Sequence, residues 1–116
     1  MATFDQRGQK VTYQYNAAGN IKFSSVTNET ELSVELQKLL DEVTRAVRSG
    51  AVDAEIGADV EAKVKKTVIQ SQKSDPNKQT ILDNINGAKA LIEGVTSAAG
   101  LVNGFVQAIE TIRRVL

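Results

Sequence analysis

The chain contains no cysteine, no histidine and no tryptophan among its 116 residues. Without cysteine it forms neither disulfides nor thiolate metal sites. Without histidine it lacks the commonest general base and the commonest metal ligand, and it has no serine–histidine nucleophile pair. These absences predict a protein that is not an enzyme and that binds no cofactor.

Aromatic residues are scarce at 4%, so leucine, isoleucine, valine and alanine must form the core. That composition suits helix packing better than a deep ligand pocket, which aromatic side chains usually line. Fourteen basic and fourteen acidic residues cancel, so no overall field attracts nucleic acid or an anionic membrane. No apolar run with a small-residue cleavage site follows Met1, and we therefore expect a reducing, cytoplasmic location.

The residues that are present are ordinary for a soluble globular protein, with 41% hydrophobic and 24% charged. A length of 116 residues fits one domain, or one small domain with an appendage. The apolar spacing changes near residue 28. We therefore predict two parts, a β-hairpin assembly element at 1–27 and a helical bundle at 28–116.

In the first part, apolar and polar residues alternate around a Gly-Asn turn. Period-two alternation of β-branched and aromatic residues is typical of a half-buried strand. We predict a β-hairpin whose apolar face consists of Val11, Tyr13, Tyr15, Ile21 and Phe23. An isolated hairpin is marginal in water. Its face therefore either packs on the chain's own helices or pairs edge to edge with other copies, and the sequence leaves both open.

The second part begins with two segments in which apolar residues are spaced by three and four, which predicts helices. The first covers 29–49, between a cap at Asn28 and a stop at Gly50. The second covers 53–71 and begins at a cap, Asp53. The carboxylates of this second segment fit a solvated helix face better than a metal site.

Residues 77–116 keep the same spacing through about four heptads, which is typical of a coiled-coil seam. The uninterrupted heptad spacing favours one long helix. The length of that helix would exceed that of its partner helices, which favours a break near residues 98–100. The predicted fold is α+β and predominantly α: the hairpin, then a three- or four-helix bundle with a long coiled-coil-like C-terminal segment. The interface residues predicted in that segment are Ile92, Val95, Ala99, Val102, Phe105, Val106 and Ile109.

Two N-terminal runs, residues 4–11 (FDQRGQKV) and 14–21 (QYNAAGNI), carry a family resemblance. They resemble a short element of bacterial signalling and conflict-system proteins, in which a Gln-x-Asn-x-Ala-Gly-x-Ile-like run precedes a helical adaptor and an effector or NTPase domain. The resemblance implies self-association or an adaptor role and supplies no catalytic residues. Since no effector follows the helices here, we expect an excised module or a stand-alone component.

The leading functional hypothesis is a homo-oligomerising scaffold or adaptor that assembles through the N-terminal strands and helical packing. The expected partner is the chain itself, as a trimer or small ring, and other signalling proteins are further candidates. The alternative is a membrane-active effector whose apolar helix, residues 94–116, inserts into a bilayer. A small-ligand or nucleotide-binding enzyme is disfavoured because His, Cys and phosphate-loop motifs are missing.

Overall fold

The computed structural model describes residues 21–116, and all regular structure in that range is helical. Two single turns of 3-10 helix, Phe23–Ser25 and Thr96–Ala98, precede the first and last helices. The four α-helices are α1 (Glu29–Ser49), α2 (Ala54–Ser71), α3 (Lys78–Ile92) and α4 (Ala99–Val115).

Local sequence sets the ends of α1 and the start of α2. The Asn28 side-chain oxygen accepts a hydrogen bond of 2.9 Å from the backbone N–H of Glu31, which satisfies a donor in the first turn. α1 ends at Gly50, whose φ of +84° is a left-handed conformation that glycine adopts without steric cost. Asp53 caps α2 through backbone N–H groups of its first turn. The ranges expected from spacing therefore agree with these two helices.

Short connections place neighbouring helices antiparallel. At one end of the bundle, Lys78 Nζ at the start of α3 donates to the carbonyl of Arg113 near the end of α4 at 3.1 Å. At the other end, the hydroxyl of Ser97 donates to the carbonyl of Ala51 at 2.7 Å and joins the two connections there. Each helix packs on the next, and α4 also packs on α1. The four helices therefore surround one core, and the prediction of a helical bundle is confirmed.

Aliphatic side chains fill most of this core. Burying a leucine, isoleucine or phenylalanine contributes roughly 1.5–3 kcal/mol relative to exposure, which is the main force holding the helices together. α2 contributes smaller valines, among them Val60 and Val64. The largest fully buried side chains include Leu32, Leu36 and Leu39 of α1, Ile81, Ile85 and Ile92 of α3, and Leu101, Phe105 and Ile112 of α4.

The prediction of a β-hairpin is wrong where the structure describes it. Phe23–Ser25 forms a 3-10 turn and residues 21–116 contain no strand, so this part of the chain is α rather than α+β. The turn places Ile21, Phe23 and Val26 in the core, which accounts for the apolar spacing. A run of so few alternating residues does not separate a strand from such a turn. The other predicted strand lies outside the described residues, with Val11, Tyr13 and Tyr15.

Residues 22–26 are held by hydrogen bonds to α1 and α4 and not by pairing between strands. Arg114 Nη2 donates to the carbonyl of Val26 at 2.8 Å, and Thr111 Oγ1, which donates to the carbonyl of Gln107 at 2.8 Å, also lies 3.4 Å from that of Phe23. On the other side, Glu35 Oε1 accepts the backbone N–H of Lys22 at 2.8 Å. The polypeptide consequently enters the bundle held between the start of α1 and the last turns of α4, with these backbone groups satisfied.

For residues 77–116 the sequence left one long helix or two helices open, and the structure has two. α3 ends at Ile92 and α4 starts at Ala99, so the break begins earlier than residues 98–100. Gly94 and the β-branched residues after it disfavour helix locally. After the break, the buried stripe of α4 is Leu101, Phe105, Ala108 and Ile112. Leu101, Phe105 and Ala108 each come one residue before a residue of the predicted seam, which has Val102, Val106 and Ile109.

Candidate protein interface

The structure separates the predicted interface residues by burial. Ile21, Phe23, Ile92, Phe105 and Ile109 are buried in the chain's own core. Because the buried stripe of α4 is shifted, Val102 and Val106 are only half-buried, as is Val95, and Ala99 is exposed. Val11, Tyr13 and Tyr15 lie outside the described residues. Of the predicted residues that the structure describes, the half-buried and exposed ones are accessible to another molecule.

One accessible residue of the seam, Val106, borders a groove between α3 and α4. The groove has a volume of about 340 Å³. Val106 and Ile109 provide the apolar part of its lining, and Lys89 of α3 also lines it. Glu110 and Arg113 line it on the α4 side. The groove therefore combines branched apolar side chains with charges of both signs.

A second surface, which sequence reasoning missed, surrounds Val34 near the start of α1. Val34 is 52% exposed, and depressions of about 300 and 240 Å³ share Val34 and Thr30 in their linings. We call the surface formed by Val26, Thr30, Glu31, Val34 and Glu35 the Val34 face. The sequence indicates this surface only through Val34 itself, an apolar residue that lies on the polar side of α1 and does not share the spacing of Leu32 and Leu36.

Two carboxylates, Glu31 and Glu35, line the Val34 face. Glu31 accepts hydrogen bonds from the Thr27 backbone N–H at 2.7 Å and from its hydroxyl at 2.9 Å. These bonds, the backbone one first, hold the pKa of Glu31 below its ordinary value. Glu35 is 8% exposed and pairs with Lys38 Nζ at 2.9 Å, besides accepting the Lys22 N–H. This face thus offers apolar surface next to acceptor groups.

A third groove lies between α1 and α2 and has a volume of about 430 Å³. Its apolar lining consists of Leu40, Ala58 and Ala62, with Thr44 beside them. The two alanines are exposed but small. The lining of this groove therefore includes one branched apolar side chain, Leu40, whereas that of the α3–α4 groove includes two.

Residues 21–116 contain no group of three or more histidine, cysteine, aspartate or glutamate side chains placed to hold a metal ion. No helix among these described residues has both the length and the apolar character that crossing a membrane requires. Comparison with protein-family models, curated proteins and solved structures finds no match for the chain. The resemblance of residues 4–11 and 14–21 to signalling and conflict-system proteins therefore stays a prediction.

Proposed function

We propose that the protein is a non-enzymatic, homo-oligomerising scaffold or adaptor whose copies associate through the α3–α4 groove. The observation that carries this proposal is the one-residue shift of the buried stripe in α4. The shift leaves Val102 and Val106 half-buried and not in the core, and Val106 lines the groove next to the largely buried Ile109. Removing such side chains from water favours association by about 25 cal/mol per Å² of apolar area.

The charges around the groove favour a second copy of the chain as the occupant. Lys89 and Glu93 form an ion pair within one molecule at 2.7 Å. Glu110 and Arg113 are exposed and take part in none of the ion pairs within the described residues. Two copies related by a two-fold axis can set these opposite charges against each other. The balanced totals of fourteen acidic and fourteen basic residues add no net repulsion between copies.

The test is the mass of the protein in solution, measured by light scattering and native mass spectrometry at micromolar concentrations. We expect a multiple of the 12.5 kDa chain mass for the unaltered protein. Val106→Lys replaces an apolar side chain of the groove with a charged one that must be desolvated on association, so we expect the mass to fall toward that of one chain while helicity by circular dichroism persists.

The matched control is Thr44→Lys, which changes a half-buried β-branched residue of the α1–α2 groove. It should leave the assembled mass unchanged. A single-chain mass for the unaltered protein over the whole concentration range would refute the proposal. An assembly that survives Val106→Lys but not Thr44→Lys would place the contact on α1 and α2 instead.

A further inference from the structure

We propose that the Val34 face is a docking site for residues 7–15 of the same chain, a basic segment with alternating apolar residues. This inference uses a different surface from the α3–α4 groove and stands independently of self-association.

The described residues begin beside the Val34 face, which puts this face within the reach of residues 7–15. Ile21 is the first described residue, and the N–H of the next residue, Lys22, is bonded to Glu35, which is itself part of the face. Tyr15 precedes Ile21 by six residues, a stretch that spans up to about 20 Å when extended. Val34 is adjacent to Glu35, so this reach covers the face. A short tether also gives an effective concentration in the millimolar range, which favours the chain's own segment over that of a second copy.

The chemistry of the segment complements that of the face. Its charged residues are Arg7 and Lys10, both basic, whereas Glu31 and Glu35 line the depression beside Val34. Its apolar residues are Val11, Tyr13 and Tyr15. Tyrosine supplies a large apolar ring with a polar tip, which suits a shallow site that pairs valines with hydroxyl and carboxylate groups. Protein interfaces usually have apolar contacts at the centre and polar or charged groups at the rim.

The chain carries its own reporter for this contact. Its two tyrosines, Tyr13 and Tyr15, both lie in the segment, and it has no tryptophan. Quenching of tyrosine fluorescence by acrylamide therefore measures how accessible the segment is. In the unaltered full chain we expect quenching well below that of free N-acetyltyrosinamide, with the same value across a hundredfold dilution.

Two lysine substitutions at equally exposed apolar positions make the test specific. Val34→Lys should abolish the protection of the tyrosines, because it puts a cation where Arg7 and Lys10 would bind. Ile69→Lys on α2 should preserve it, since Ile69 is 53% exposed and Val34 is 52% exposed. Neither substitution should change helicity or the mass of the assembly.

Three outcomes would overturn the proposal. The first is full quenching of the unaltered protein, and the second is protection that survives Val34→Lys. The third is protection that disappears on dilution together with the assembled mass, because the occupant would then be the segment of a second copy.

Discussion

Arg114 in the last turn of α4 donates a hydrogen bond of 2.8 Å to the carbonyl of Val26, three residues before α1 begins. The same guanidinium nitrogen lies 3.4 Å from the carbonyl of Phe23. Phe23 and Val26 are both buried, so these carbonyls have little access to water. One side chain of the last helix therefore holds two backbone carbonyls of the segment that leads into the first helix.

Arg114→Ala should lower the free energy of unfolding by about 1 kcal/mol, because a hydrogen bond from a charged donor to a poorly hydrated carbonyl is lost. The measurement is the midpoint of urea unfolding. Arg113→Ala is the control, since the neighbouring residue has the same charge near the same helix end. Equal losses in the two variants would mean that charge at the helix end, and not the bond to Val26, is what stabilises.

Two glycines of the bundle should respond in opposite directions to alanine. A β-carbon at Gly57 would lie well inside the contact distance of Val47, whereas one at Gly87 would meet the flexible side chain of Lys63 at 3.3 Å. Gly57→Ala should therefore cost about 1–3 kcal/mol through overpacking. Gly87→Ala should gain up to about 1 kcal/mol through helix propensity.

Thermal unfolding of the two glycine variants beside the unaltered protein tests both signs. A stabilised Gly57→Ala protein would contradict the prediction. It would show that α1 and α2 can move apart where Val47 approaches Gly57. A destabilised Gly87→Ala protein would show that Lys63 cannot move aside.

The stability that Glu31 contributes should depend on pH. Hydrogen bonds from Thr27 hold its folded pKa below the ordinary value of 4.5. A carboxyl group of this kind stabilises fully above its ordinary pKa, and the contribution is lost as the pH falls through the folded pKa. The thermal midpoint of Glu31→Gln should therefore lie below that of the unaltered protein at pH 7 and converge with it in acid.

Glu29→Gln is the control for the pH experiment, because Glu29 lies in the same first turn and shares its interaction with the helix dipole. A midpoint difference for Glu31→Gln that stays constant from pH 7 into acid would contradict the assignment. So would an equal effect of the two substitutions.

The sequence was informative about α1 and α2 because both of their signals are local. The stripe through Leu32, Leu36 and Leu39 and the caps at Asn28 and Gly50 depend on neighbouring residues alone. The hairpin prediction failed because Ile21 and Phe23 are apolar for a non-local reason: they fill the end of the core beside α4. Spacing over so few residues does not reveal what covers them.

The candidate surfaces were less predictable than the helices. The prediction assumed that the apolar spacing continues without a shift from Ile92 to Ile109. The connection before α4 changes which residues face inward, so Phe105 is buried and Val106 is accessible. That change depends on how α4 packs on α1 and α3, which spacing along one segment cannot encode. Val34 was missed for a related reason, since the groups around it come from three separate parts of the chain.

The contact of Phe23 with the last turns of α4 brings the first described residues and the final helix to the same end of the bundle. A circularly permuted chain, with Leu116 joined to Met1 and a new opening at Gly94, where a β-carbon would meet nothing within 4 Å, should therefore keep every helix pairing of the described residues. If that permuted chain folded with unchanged stability, the stability of the bundle would depend on which helices pack together and not on their order along the polypeptide.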